Sequence, residues 1–191
     1  CMTVSSTQAL EKAHSYGVSL TAFLCAAMLQ ALQNLQAEKI PHIRWRKPVK
    51  VLIPVNLRRL FPSNTLRNFA LYITPEIQPK LGEYDFREIC QVVHHRMGLE
   101  LTPKFMGRMI ATNVRLEKLM AVKLMPLFLK NLVMKMVFNS VGERMSCLSV
   151  SNLGKVELPE QMKPHVKRMD FILGVQATKP YNCGVLSYED T

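Results

Sequence analysis

A chain of 191 residues with 48% hydrophobic content is long enough to bury a core, and residues 1–191 read as a single domain. A net charge of +11 and a pI near 9.7 suit either an anionic partner such as nucleic acid, a membrane surface or a phosphorylated cofactor, or a solvated basic face whose acidic partner surface lies outside this chain. Aromatic residues make up only 7% and do not interleave with the basic ones, which argues against a binder of single strands by stacking.

Ser5 and Gln8 form a capping box for a helix over residues 5–16, and Gly17 stands where a left-handed C-terminal residue is wanted. Ser19 caps a longer helix. Leu20, Phe23, Leu24, Ala27, Met28, Ala31, Leu32 and Leu35 recur at helical spacing and define its apolar stripe, with Cys25 and Ala26 beside it. Pro41 to Pro48 is a basic connector holding His42, Arg44, Trp45, Arg46 and Lys47. Val49, Val51, Ile53 and Val55 alternate as in a strand, and Pro54, which has no N–H to donate, belongs at an end, edge or bulge. After a turn at Pro62-Ser-Asn, Phe69, Leu71 and Ile73 alternate again.

Asp85 and Glu88 form another capping box, ahead of a helix whose buried stripe is Phe86, Ile89, Cys90, Val93 and Met97. Thr102-Pro103 opens the next helix, with Phe105, Met109, Leu116 and Met120 on its apolar face. Residues 126–137 continue as a Leu/Met/Phe-rich helix ended by Gly142. Met145 to Ser151 is a strand, Asn152-Leu-Gly a turn, and Met169–Gln176 with Cys183–Tyr188 a hairpin across Thr178-Lys-Pro-Tyr. Strands and helices are mixed without a regular βαβ beat. The fold class is therefore α/β of the α+β type, a mixed β-sheet with helices packed on it.

No run of about 18 apolar residues is present to span a bilayer. Glu11 and His14 interrupt the pattern that a secretory signal would need. The five cysteines are widely spaced, with no CxxC pair or Cys/His ligand spacing, which suits reduced thiols in a cytoplasmic protein and gives no metal site. His94-His95 could supply a general base. However, helical geometry puts His95 opposite the Phe86/Ile89/Val93 stripe and His94 on its flank, both as solvated surface residues. Lys118, Lys123, Lys130 and Lys135, set among Leu, Met and Phe, fit either a cationic amphipathic surface segment or an ordinary helical pair with one core face and one wet face.

Three short signatures stand in a characteristic order: Gly17-Val-Ser-Leu-Thr21 with its helix, Ile53-Pro-Val-Asn-Leu-Arg58 followed by Arg67-Asn-Phe69, and Ser151-Asn-Leu-Gly154. With Leu186-Ser-Tyr188 they make most of residues 10–190 resemble the C-terminal half of the chloramphenicol-acetyltransferase-like superfamily. That superfamily includes peptide-synthetase condensation domains, wax-ester/diacylglycerol acyltransferases and, most similar, bacterial alcohol acetyltransferase-like proteins. In the second signature Arg67 stands where the family usually has Gly.

The resemblance implies one lobe of a CoA-dependent acyltransferase fold that moves an acyl group from CoA or a carrier thioester to an alcohol or amine. The family's catalytic HHxxxDG motif lies on the other, N-terminal lobe. His94-His95 does not replace it, because Leu99 stands where the motif has Asp. The chain therefore carries no catalytic residue of its own, and both of its ends, at Cys1 and Thr191, read as truncated. By the same resemblance, Arg58 pairs structurally with the motif's Asp across the lobes. Ser151, Asn152 and Gly154 line the cleft or serve as an ordinary strand-end turn. The implied partners are the N-terminal lobe, acyl-CoA or an acyl carrier protein, and the acceptor. Acyl-CoA is a co-substrate and no cofactor is covalently bound. Nucleic acid is not expected, although a non-catalytic basic module for nucleic acid or another anionic surface is the alternative reading.

Overall fold

The computed structural model describes residues 2–118, 125–137, 146–174 and 181–189. Helix α1 (Ser6–Ser15) ends where Gly17 takes a left-handed φ of 72°. There the Val18 N–H reaches back to the Ala13 carbonyl and the Gly17 N–H to that of His14, closing the helix end. Helix α2 (Leu20–Lys39) follows at once, capped by the Ser19 hydroxyl, which accepts from the Ala22 N–H.

The deepest stripe of α2 is Ala22, Cys25, Ala26, Leu29 and Gln33, which corrects the stripe expected from Leu20 to Leu35. Because α2 is apolar on almost every side, its periodicity does not mark one face. The small Ala and Cys side chains allow close packing, and they turn inward while Ala31 is exposed. Gln33 is buried yet satisfied. Its Nε2 donates to the Tyr84 carbonyl (2.9 Å) and its Oε1 accepts from the Tyr84 N–H (3.2 Å), tying α2 to the turn that leads into α3.

Strand β1 (Val49–Asn56) is the axis of the sheet, with Val49, Val51 and Ile53 buried. On one side it pairs antiparallel with β2 (Ala70–Ile73) and β3 (Glu76–Ile77), which Thr74-Pro75 separates. On the other it runs parallel to β4 (Leu148–Lys155), in register Val51 to Leu148 and Leu52 to Ser149. Pro54 lies beyond this last pair, so its missing N–H interrupts no bond to β4. Strand β5 (Asn182–Ser187) lies parallel to β4 and completes a mixed sheet in the order β2-β1-β4-β5, with β3 also on β1.

Two expectations are corrected here. Residues 169–174 form no strand, so the hairpin expected of Met169–Gln176 with Cys183–Tyr188 does not form; residues 175–180 lie outside the described residues. β5 spends its ladder on β4. Residues 166–174 are tied to the 182–188 segment by side chains instead, with Asn182 Nδ2 donating to the Gly174 carbonyl, Tyr188 Oη to the Val166 carbonyl, and Phe171 lying against Gly184. Second, Asn152-Leu-Gly is no turn. It continues β4 to Lys155, with an irregularity in its pairing with β5 between Asn152 and Lys155.

Helix α3 (Phe86–Glu100) starts on the expected capping box, with Asp85 and Glu88 each accepting from the other's backbone N–H, and buries Ile89, Cys90 and Val93. Tyr16, Phe23 and Phe86 pack edge-on where α1, α2 and α3 meet. Helix α4 (Pro103–Lys118) begins under a Thr102 cap and sinks Met106 into the core between the half-buried Phe105 and Met109, then leaves it, with Ala111 to Arg115 exposed. The Leu116 side chain, Met120 and Gly142 lie outside the described residues. Helix α5 (Leu127–Val137) contributes no described side chain to the core or to the residues packed on it. Among the described residues no single helix is long and apolar enough to cross a membrane.

Arg46, read from sequence as part of a basic connector, is buried. Its guanidinium donates to the Ile40 carbonyl and pairs with Glu83 at 2.7 Å. Across β1 and β3, Lys50 opposes Glu76 at 2.7 Å, and this bond holds the Glu76 carboxyl below its usual 4.5.

Two predictions follow from these ties. Gln33→Leu, although more apolar, strands both Tyr84 backbone groups and should cost about 2 kcal/mol in urea unfolding. A carboxyl depressed in the folded state stabilises above its unfolded value and loses that contribution as pH falls through the folded one. Glu76→Gln should therefore lose less stability than the parent between about pH 6 and pH 3, measured by thermal melts.

Candidate functional site

The signatures singled out in the sequence meet at one end of the sheet, where the parallel strands β1 and β4 finish beside the first turn of α2. In open α/β sheets this end of parallel strands is the usual place for a binding crevice.

β1 runs into a short turn at Leu57–Arg59, started by Asn56, whose Oδ1 accepts from the Arg58 N–H. Leu57 is buried and anchors the turn, which directs Arg58 outward. Arg58 Nη2 donates to the carbonyls of Thr65 (2.8 Å) and Arg67 (2.7 Å), folding the 60–69 loop back over the strand end. Its Nε and Nη1 have no hydrogen-bond partner among the described residues. The exposed guanidinium is thus satisfied locally on one side and open to a carboxylate on the other.

Ser151 and Asn152 are half-buried on β4. Asn152 Oδ1 accepts from the Gly154 N–H (2.8 Å), a local bond that accompanies the strand's irregularity, and Gly154 holds a φ of 77° that suits a residue without Cβ. Asn152 Nδ2 donates across the fold to Thr21 Oγ1 at 3.0 Å. The side chain therefore bonds its own backbone and also ties β4 to the first turn of α2. Thr21 went unread as a site residue. Its only signal was membership of the Gly17–Thr21 signature, and no spacing rule links it to a residue 131 positions away.

Residues with chemistry of their own lie elsewhere. His94 and His95 are exposed on α3, with ring centroids 5.8 Å apart, and neither has a hydrogen bond or acid partner among the described residues. Glu100 is buried and pairs with Arg96 on its own helix. Burial pushes the Cys25 thiol up to about 12, with Cys183 a smaller cause, so Cys25 is no nucleophile near neutrality. Among the described residues no group of three His, Cys, Asp or Glu is gathered to hold a metal ion. An apolar groove of about 220 Å³ lies at the far end of α2, lined by Leu32, Leu35, Gln36, Lys39, Ile40, Val49 and Cys147, and includes none of Arg58, Ser151, Asn152 or Gly154.

This end of the sheet thus offers a guanidinium, an amide, a hydroxyl and a left-handed glycine. It can orient and bind, but among the described residues it holds no oriented acid–base pair. No family model, curated protein or solved structure matches the chain.

The Thr21–Asn152 bond is open to a double-mutant cycle. Thr21→Ala and Asn152→Ala should each destabilise by about 1 kcal/mol, and the double variant by less than the sum, read from denaturant midpoints. Additive losses would mean that the hydrogen bond contributes nothing.

Proposed function

We propose that this chain is the non-catalytic lobe of a cytoplasmic acyltransferase of the alcohol acetyltransferase-like kind. In this reading it forms one wall of a tunnel in which an acyl group passes from CoA or a carrier thioester to an alcohol or amine. The observation that carries the proposal is the Thr21–Asn152 hydrogen bond. It joins two of the three signatures behind the resemblance, and the strand bearing Asn152 is the parallel neighbour of the strand bearing Ile53–Arg58.

The chemistry belongs to a histidine of the opposite lobe, acting as general base. It removes the acceptor's proton as the acceptor oxygen or nitrogen attacks the thioester carbonyl. The C–S bond then breaks, and the departing CoA thiolate takes that proton from the imidazolium. Arg58 contributes by position. Its open Nε and Nη1 pair with the aspartate that follows the histidines in the other lobe's motif, locking the lobes in register. The surplus of basic charge suits the phosphates of CoA or an acidic carrier protein.

The test is thiol release from acetyl-CoA in the presence of an alcohol. A polypeptide combining this chain with a lobe bearing HHxxxDG should release thiol, whereas this chain alone should stay at background. In the combined polypeptide Arg58→Ala should cost about 3 kcal/mol or more of stability, the scale of breaking a buried ion pair. Thiol release by the chain alone that vanishes in His94→Ala or His95→Ala would overturn the proposal, as would an Arg58→Ala variant with unchanged melting and rate.

A further inference from the structure

Helix α5 presents to solvent what other helices of this fold bury. Phe128 and Met136 are 75% and 62% exposed and Leu132 lies between them at 53%, while Leu127 and Met134, also exposed, lie on the opposite face between the lysines. Phe128, Leu132 and Met136 follow one another at four-residue spacing, with Leu129 and Val133 forming the adjacent row, so one continuous apolar stripe runs along the helix. Lys130 and Lys135 lie at its two borders, one on each side. The sequence offered two readings of these lysines, and the one requiring a packed core face does not describe α5, since all of its described side chains are exposed. A helix of 11 residues is also about 16 Å long, roughly half the hydrocarbon thickness of a bilayer, so it cannot span one.

The charge around the stripe limits what can cover it. From Pro103 to Val137 the described cations are Lys104, Arg108, Arg115, Lys118, Lys130 and Lys135, and the one acid in that sequence is Glu117. A second copy of the chain would bring two such cationic surfaces together, and like charges in contact are costly. Nucleic acid would satisfy the cations but leave Phe128, Leu132 and Met136 in water, and Phe128 is the one aromatic residue of α5 available to stack on a base. An anionic lipid surface meets both demands, taking the apolar stripe at the acyl boundary while the bordering lysines extend along their aliphatic stems to the phosphates.

We propose that α5 is a membrane-surface helix, lying in the plane of an anionic bilayer with Phe128, Leu129, Leu132, Val133 and Met136 inserted and Lys130 and Lys135 at headgroup level. This inference is independent of the acyl-transfer reading.

The experiment is co-sedimentation of the purified chain with phosphatidylcholine–phosphatidylserine vesicles and with pure phosphatidylcholine vesicles, at low and at physiological salt. Binding should favour the anionic vesicles and weaken with salt. It should fall by about tenfold or more in Lys130→Gln/Lys135→Gln, and similarly in Phe128→Gln/Leu132→Gln. Both variants should melt like the parent, because these side chains are exposed.

Equal or absent binding to the two vesicle types would overturn the proposal. So would a dimer in sedimentation velocity that Phe128→Gln/Leu132→Gln converts to monomer, which would assign the stripe to a second copy. Loss of cooperative melting in that variant would mean that the stripe is buried within the chain. An oligonucleotide that binds more tightly than the vesicles, and is lost in the lysine variant alone, would assign the cations to nucleic acid.

Discussion

The seating of α2 on β1 is the contact on which the rest of the structure depends. β1 takes hydrogen bonds on both of its edges, and Val49, Val51 and Ile53 are buried in the same core as the α2 stripe. Ala22, Cys25 and Ala26 give that helix a shallow surface, so packing there is close and Leu29 fills the deeper space. Removing a buried leucine of this kind typically costs several kcal/mol, because the transfer and cavity terms add. α3 packs on α2 in turn, and the first turns of α4 close the cluster with Met106.

Polar ties set the orientation of what the apolar core merely holds together. Gln33 treats the Tyr84 peptide as a strand neighbour would, offering a donor and an acceptor to its backbone. Arg46 does similar work for the segment between α2 and β1, where three of its nitrogens bond to the Ile40 and Pro41 carbonyls and to Glu83. Asn152 joins the start of α2 to the end of β4, so the helix and the strand that frame the candidate site cannot shift independently. Each tie is directional, and each has its partners satisfied, which is what makes a buried polar group stabilising.

Between Ile110 and Val137 the described chain behaves differently. From Ala111 to Val137 no described side chain belongs to the core, which resumes at Leu148 and Val150. Ala111 to Arg115 of α4 stand in water, and α5 carries an apolar stripe that is exposed. One part of the molecule therefore satisfies its apolar surface internally, and another holds it outward among lysines.

Local chemistry was legible in the sequence. The caps at Ser19 and Asp85, the left-handed Gly17 and Gly154, the alternation of Val49 to Ile53 and the helical stripe of α3 all depend on residues within a few positions of one another, and the structure follows them. The inward face of α2 was not legible, because a helix apolar all round has no periodicity to read and only the shape of its neighbours selects a side. Nor was the fate of residues 169–174. β5 takes its ladder from β4, a strand more than 30 residues away, and residues 169–174 lie against it through side chains. Arg58, Ser151, Asn152 and Gly154 could be singled out one by one, but the bond from Asn152 to Thr21 and the exposure of α5 follow from how distant segments pack. A chain read locally does not contain that information, because long-range contacts are chosen by the energy of the whole core and not by any window of residues.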